Sequence, residues 1–348
     1  MPNRGEKHYV ELDGLRGIAA ISVMLFHAHI PIFGHAYLAV DFFFMLSGFV
    51  IAHAYGYYLT LPGYFKLFAR DRIIRLHPLL ILFSIVGGAE LALNSFALSR
   101  TGANWLILDI VAGIFPAPSL WDLDIPNSNI FIVNPPSWSL FWEILVNLIF
   151  AFISPYLSNK RLIFILILSV CGIIIATINY DGLNVGWSPD NFLWGIARVM
   201  FGFFAGVLIY RIHSAGFLAD GGRRYLVAPI LIATFVALPY GSAWSIAYDP
   251  IIIIVLFPLL LLFAAGSKPL VPSIATLSGT ISYPLYLAHT SIIMGLNGAA
   301  HRFLKISGNP LALSIIVIIT IILSYLIVIY YDKPVRKFLR THYGSGNH

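Results

Sequence analysis

Residues 14–30 read GLRGIAAISVMLFHAHI, an apolar stretch typical of a membrane-spanning helix, with Arg16 near its start and His27 eleven residues later. In an α-helix eleven residues turn through three full turns plus about 20° and rise about 16 Å. Arg16 and His27 are therefore predicted to share one helix face, with His27 past the middle of the span. Ionisable groups inside spans are rare because burying them is costly, so this helix is a candidate for part of a functional site.

The composition indicates that the whole chain is membrane-embedded. Of its 348 residues 59% are hydrophobic and 10% are charged, with a mean hydropathy of +0.86, whereas about 25% of an ordinary soluble domain is charged. Apolar runs recur without a long polar block between them, and the first run has no small-residue cleavage site after it. We predict an all-α, polytopic membrane protein with a single domain, residues 1–348, a retained first span and no appended soluble domain.

About ten transmembrane helices are predicted between residues 14 and 331: 14–33, 36–58, 77–97, 137–157, 161–179, 191–210, 225–240, 250–266, 278–298 and 311–331. A further apolar piece, 105–116, is shorter than the roughly 20 residues that a crossing helix needs. If this piece does not cross and the N-terminus is cytoplasmic, most loop lysines and arginines lie inside, as the positive-inside rule requires. We therefore predict cytoplasmic termini, a basic C-terminal tail, and an external re-entrant or interfacial loop at 104–136. The net charge of +6 is accounted for by these inner loops and indicates no nucleic-acid partner.

Ionisable residues on five different predicted spans fall at similar depths, in the outer half of the membrane. Taken singly, a carboxylate or an arginine could form a structural ion pair, and a histidine could hydrogen-bond a neighbouring helix. Their convergence favours a proton-transfer site, and the absence of tight ligand spacing gives no reason to predict a metal. The residues are His27, Asp41, Glu143, Arg198 and His289.

A second cluster is predicted at the inner side. Arg72 and Arg75, in ARDRIIRLHP, are three residues apart and so share a helix face at the start of the third span, at the level of Arg16. Guanidinium groups stay charged and bind phosphate bidentately, although basic residues at inner helix ends also serve simply as topology signals. The chain is thus predicted to carry an anion site inside and a proton-transfer site nearer the outside.

These motifs together resemble the membrane acyltransferase-3 family, integral O-acyltransferases that act on sugars and other exported molecules. The resemblance covers nearly the whole chain, in the family's order and spacing. The family's usual Glu-x-Pro near the C-terminus appears as Asp332-Lys333-Pro334, a departure to which no role is given. The segments that carry the resemblance are LDGLRGIAA with Arg16 followed by His27 in an Arg-x10-His pattern, VDFFFMLSGF with Asp41, RIIR with Arg72 and Arg75, PSWSLFWE with Glu143, and ISYPLYLAH with His289.

The resemblance implies an enzyme of the inner (plasma) membrane that moves an acyl group, most often acetyl, from cytoplasmic acyl-CoA to a hydroxyl of a cell-envelope or exported saccharide or glycolipid. Acyl-CoA would be a substrate, with no cofactor bound permanently. Arg16, Arg72 and Arg75 would bind its phosphates. His27 would act as general base or as acyl carrier.

The remaining site residues receive supporting roles in this interpretation. Asp41 or Glu143 would fix the tautomer of the catalytic imidazole. His289 would be a second proton carrier or an oxyanion donor. Trp121, Asp122 and Asp124, in the predicted external loop, would either contact the sugar or anchor the loop at the membrane interface.

Two other classes of function use the same residues. A proton-coupled multi-pass transporter would employ the buried histidines and carboxylates as a proton relay, but it gives the inner arginines no role. A non-catalytic membrane subunit of a polysaccharide assembly complex would leave the converging ionisable groups without one.

Overall fold

The computed structural model describes residues 8–93, 103–119, 128–216, 224–304 and 309–343, and every regular element in these ranges is helical. The predicted all-α class is therefore confirmed. Three π-helical turns also lie in the described ranges, at Ile252–Leu256, Ala300–Leu304 and Val328–Asp332. The α-helices in the described ranges are α1 Val10–His27, α2 Ala39–Tyr55, α3 Tyr64–Leu93, α4 Ala103–Ile114, α5 Ser137–Ile153, α6 Asn159–Tyr180, α7 Gly195–Ser214, α8 Val227–Val236, α9 Ser245–Ile251, α10 Phe257–Ala265, α11 Pro272–Ala299, α12 Pro310–Ile327 and α13 Lys333–Tyr343.

Seven helical stretches of the described chain are long and apolar enough to cross a bilayer, which makes this a multi-pass membrane protein. The predicted count of about ten is not confirmed, since the predicted spans 14–33, 225–240 and 278–298 lie on helices outside this set of seven. Of these, α1 carries three charged residues in its first two turns, and α8 has only 10 residues and so rises about 15 Å. The seven stretches are Ala36–Tyr55, Tyr64–Leu93, Ser137–Tyr156, Asn159–Tyr180, Phe192–Ser214, Ser245–Ala265 and Pro310–Tyr343.

The short apolar piece between the third and fourth predicted spans forms α4, a helix of 12 residues. Its length of about 18 Å is well below the roughly 30 Å of a hydrocarbon core, which agrees with the prediction that this piece does not cross. Trp121, Asp122 and Asp124, the candidate sugar contacts of the same loop, lie outside the described residues.

The chain packs as two compact units. Unit 1 comprises Met1–Ala69, Trp142–Gly186 and Asn191–Ser282, and so contains α1, α2 and α6 to α10. Unit 2 comprises Arg70–Phe141, Trp187–Asp190 and Tyr283–His348, and so contains α4, α12 and α13. Helices α3, α5 and α11 contribute residues to both units.

In unit 1, glycines bring α2 and α7 into backbone contact. A Cβ atom on Gly48 would lie 1.9 Å from the carbonyl oxygen of Phe203, and one on Gly206 would lie 2.0 Å from that of Met45. Small residues at such positions let helices approach closely, and close packing is a main source of helix association in membranes. The contact fixes how α2 and α7 face each other and so which of their polar side chains meet.

Glycines also pack α1 against the first part of α11, within unit 1. A Cβ atom on Gly17 would lie 2.3 Å from the Cβ of Ser278, and one on Gly14 would lie 3.1 Å from that of Ala275. The two glycines of the LDGLRG motif are thus packing residues. Because they set the rotation of α1, they also set the directions in which its polar residues point.

Candidate functional site

His27 is the last residue of α1, and its side chain is exposed. Its Nδ1 atom lies 3.0 Å from the carbonyl oxygen of Val23, one turn earlier. A carbonyl can only accept, so Nδ1–H is the donor and the lone pair of the neutral ring is on Nε2. A backbone carbonyl therefore fixes the tautomer, the role that we expected of Asp41 or Glu143. A neutral imidazole in this state has the nitrogen that a general base or nucleophile requires.

Asp41 and Arg198 form an ion pair within unit 1, and both residues have an exposed fraction of 0%. The guanidinium donates to both carboxylate oxygens, from Nη2 to Oδ2 at 2.6 Å and from Nε to Oδ1 at 3.0 Å. Its Nη1 also donates to the carbonyl oxygen of Val185 at 2.7 Å. This fork satisfies the charge of Asp41 and ties α2 to α7. The geometry is that of a buried structural pair, and a catalytic role for Asp41 stays a prediction.

Glu143 lies on α5 and accepts a hydrogen bond from Ser47 Oγ, of α2, at 2.8 Å. Asn147 follows one turn later, so it shares a helix face with Glu143. Its exposed fraction is 1%, and neither of its amide atoms has a hydrogen-bond partner among the described residues. Buried amides are normally satisfied. This face of α5 can therefore offer donor and acceptor groups to a polar ligand.

A second buried network in unit 1 was not predicted from the sequence. Asp249 Oδ2 accepts from the Tyr37 hydroxyl at 2.7 Å and from the Leu183 amide at 2.8 Å. His35 Nε2 lies 2.9 Å from Ser245 Oγ and 3.6 Å from Asp249 Oδ1. Asp249 lies between the predicted spans 225–240 and 250–266, but in the structure it is fully buried in α9. The position of Asp249 directly before an apolar run was the only sequence signal for its burial. The network joins the segment that precedes α2 to α9.

The inner arginines belong to different units. Arg16, in unit 1, donates from Nη1 to Asp13 Oδ1 at 3.0 Å, and both side chains are 19% exposed. Arg72 and Arg75 lie on α3 in unit 2 and are partly exposed, as phosphate ligands need to be. An aspartate partner compensates much of the charge of Arg16, and a role in anion binding stays a prediction for Arg16 as for the pair on α3.

His289 lies on α11 in unit 2 with an exposed fraction of 0%. Its Nδ1 atom lies 3.2 Å from the Leu285 carbonyl oxygen, so the neutral ring again carries its lone pair on Nε2. The ring of Tyr286 is 5.9 Å away, and the hydroxyl of that tyrosine lies 2.8 Å from Ser139 Oγ in the first turn of α5. A buried polar group of this kind can relay a proton, one of the two roles expected from the sequence, and both roles stay predictions.

Comparisons with known proteins find relatives that match part of the chain. "Protein 2 in picA locus" of Rhizobium radiobacter is 32% identical over 191 residues, which are 50% of this chain and 97% of that protein. A Staphylococcus aureus (strain COL) protein named "Putative O-acetyltransferase" is 34% identical over 113 residues, which are 32% of this chain but only 18% of that longer protein. A protein of the same name from S. aureus (strain MSSA476) matches to the same extent. No solved structure matches the chain.

The family comparison covers most of the chain. The family model of the acyltransferase-3 group, described as "Acyltransferase domain", matches residues 9–329. This range contains helices α1 to α12 and every residue that carried the resemblance: Arg16, His27, Asp41, Arg72, Arg75, Glu143 and His289. The chain therefore belongs to the acyltransferase-3 family and is a membrane-embedded acyltransferase.

Proposed function

We propose that the protein is an O-acyltransferase that moves an acyl group, in the first instance acetyl, from acyl-CoA to a hydroxyl of a cell-envelope or exported saccharide or glycolipid. Family membership supports acyl transfer, and the name of the S. aureus relatives supports an oxygen acceptor and an acetyl group. In this proposal the protein lies in the inner (plasma) membrane with about ten spans. Both termini are cytoplasmic, and acyl-CoA is reached from that side.

The observation that carries the proposal is the state of His27, an exposed imidazole whose Nδ1–H is held by the Val23 carbonyl. Its Nε2 takes the proton of the acceptor hydroxyl while the hydroxyl oxygen attacks the thioester carbonyl carbon. The carbon–sulfur bond then breaks, and CoA leaves as a thiolate that recovers the proton from the imidazolium. The products are the O-acyl ester and CoA, and His27 returns to its neutral form.

The other residues support this step. Arg72 and Arg75 bind the phosphates of the donor, since partly exposed guanidinium groups suit them. Glu143 and Asn147 bind hydroxyls of the acceptor through the polar face of α5. Asp41 and Arg198 hold α2 and α7 in place.

Replacing His27 tests the proposal. We expect His27→Ala to lower the transfer of acetyl from acetyl-CoA by a factor of about 10² to 10⁴, the usual contribution of a general base, while the protein still reaches the membrane. The measurement is radiolabelled acetyl incorporation into envelope glycans by inverted membrane vesicles.

The matched control is His29→Asn, two residues on. His29 has a φ of 58°, which asparagine adopts more easily than most residues, so this variant is expected to keep its activity. Full activity in His27→Ala would contradict the assignment. An acyl group trapped on His27 of the wild-type protein would show instead that the imidazole is a nucleophile.

A further inference from the structure

Asp332 is the last residue of the π-helical turn Val328–Asp332, directly before α13. Its side chain is 1% exposed, and it forms a hydrogen-bonded ion pair with Arg336, one helical turn later, whose side chain is 20% exposed. The other carboxylate oxygen, Oδ1, is buried without a hydrogen-bond partner among the described residues. Single π-helical turns within α-helices occur frequently at functional sites. The turn thus presents a buried carboxylate that orients an accessible guanidinium.

Arg75, on α3 of the same unit, interacts electrostatically with both members of this pair. Two guanidinium groups therefore interact electrostatically with one carboxylate, so positive charges outnumber the negative charge here. Lys333 and Arg340 add further positive charge around the pair. Because Arg75 and Arg336 repel each other, a ligand with several negative charges is favoured here.

Hydrogen bonds at two places fix this arrangement. The hydroxyl of Tyr331 donates to the carbonyl oxygen of Pro78 at 3.0 Å, and Arg70 Nη1 donates to the carbonyl oxygen of Tyr343 at 3.0 Å. The chain from 331 to 343 therefore runs antiparallel to residues 70–78 of α3. The two elements joined in this way hold their guanidinium groups in position before a ligand arrives. Less entropy is therefore lost when the ligand binds.

We propose that Arg336, positioned by Asp332, is a phosphate ligand of the acyl-CoA donor and acts together with Arg75. The inference rests on the proposed function. A guanidinium has five N–H donors, and the ion pair occupies only part of them. The accessible remainder can bind a phosphate bidentately. The phosphates of CoA carry several negative charges, so they complement the excess positive charge around the pair.

The test uses the full chain in nanodiscs of neutral phosphatidylcholine, titrated with CoA. Arg336→Ala removes a charge-assisted hydrogen bond to a phosphate, so we expect it to weaken CoA binding by about tenfold to a hundredfold. Arg336→Lys keeps the positive charge but not the bidentate geometry of the guanidinium, so its affinity for CoA should lie between that of Arg336→Ala and that of the wild type. Lys337→Ala removes a neighbouring exposed cation and should bind CoA as the wild type does.

Activity measurements separate phosphate binding from a structural effect. Arg336→Ala should raise the KM for acetyl-CoA and leave kcat nearly unchanged. S-acetylpantetheine lacks these phosphates, so Arg336→Ala and the wild type should use it equally. Asp332→Asn should likewise raise the KM for acetyl-CoA and leave kcat nearly unchanged, because it releases Arg336 from its position.

Three results would overturn the inference. The first is an unchanged Kd for CoA in Arg336→Ala, and the second is an equal loss of activity with both acyl donors, which would indicate a structural role. The third is an effect that appears only in nanodiscs containing phosphatidylglycerol, which would identify a lipid headgroup as the ligand. If the wild-type protein itself does not bind CoA, the proposed function fails together with this inference.

Discussion

Asp41 and Arg198 form an ion pair that lies entirely out of solvent. Removing two charges from water costs several kcal/mol per ion, and attraction offsets this only when the remaining donors are also satisfied. Here the guanidinium donates to both carboxylate oxygens and to the Val185 carbonyl. At the scale of single residues, the pair therefore anchors unit 1, whereas the exposed His27 is suited to chemistry.

Breaking the Asp41–Arg198 pair on one side should destabilise the protein strongly. Asp41→Asn leaves a buried positive charge uncompensated, which typically costs about 3–5 kcal/mol. We expect a clearly lower midpoint in thermal unfolding of the detergent-solubilised protein.

The double variant Asp41→Leu with Arg198→Met supplies the control. It removes both charges, so it should recover much of the stability that Asp41→Asn loses. Acyl transfer by this variant would establish that Asp41 is structural. A stable but inactive double variant would instead support the catalytic role that the sequence suggested for Asp41.

Helices α2 and α7 meet at three glycines, Gly48, Gly202 and Gly206. The last two form a GFFAG segment with small residues four apart, a spacing that places both on one helix face. Side chains in the wider contact, such as Phe203 and Phe44, are fully or almost fully buried. At the scale of elements, the approach of these two backbones brings the carboxylate on α2 within reach of the guanidinium on α7.

A methyl group at this contact should separate the two helices. In Gly48→Ala the new Cβ would lie 1.9 Å from the Phe203 carbonyl oxygen, and overpacking of this kind typically costs about 1–3 kcal/mol. We expect a lower unfolding midpoint and reduced activity.

Gly298→Ala is the matched control for that substitution. Gly298 lies in α11, and a Cβ there would meet no atom within 4 Å. The unfolding midpoint of Gly298→Ala should therefore equal that of the wild type or lie slightly above it. Equal midpoints for the two alanine variants would show that the contact between α2 and α7 is looser than described.

The transmembrane topology is a property of the whole molecule, and it depends on α8. This helix has 10 residues, whereas a straight crossing needs about 20. The positive-inside rule nevertheless predicts that the loop before α8 is cytoplasmic and the loop after it external. If α8 does not cross, these two loops lie on the same side of the membrane.

Cysteine labelling can decide between these topologies, because Cys171 is the single cysteine of the chain. In a Cys171→Ser background, Ala243→Cys should react with a membrane-impermeant maleimide added to intact spheroplasts. Ala215→Cys should react only after the membrane is opened. Both positions are exposed in the structure, so reaction of both from outside would show that α8 does not cross and that the predicted orientation is wrong.

The helical class, the membrane location and the family follow from the amino-acid sequence alone, because apolar runs and short motifs are local features of the chain. The sequence placed His27 and Arg16 on one helix face and Arg72 and Arg75 on another for the same reason, since helical periodicity acts over a few turns. The amino-acid sequence has a limit, however. It did not determine the number of spans, because α1 and α8 differ in charge and length from an ordinary crossing helix.

Which polar groups meet follows from the packing of the helices and not from the sequence pattern. Asp41 and Arg198 are 157 residues apart in the chain, and Tyr37 and Asp249 are 212 apart. Such contacts depend on how helices pack, which no local pattern specifies. Likewise, Asp332 was noted in the sequence segment Asp332-Lys333-Pro334, but its carboxylate was given no role there. Its burial beside Arg75 and Arg336 is what assigns it a partner, because a charge without solvent must find its compensation in the fold.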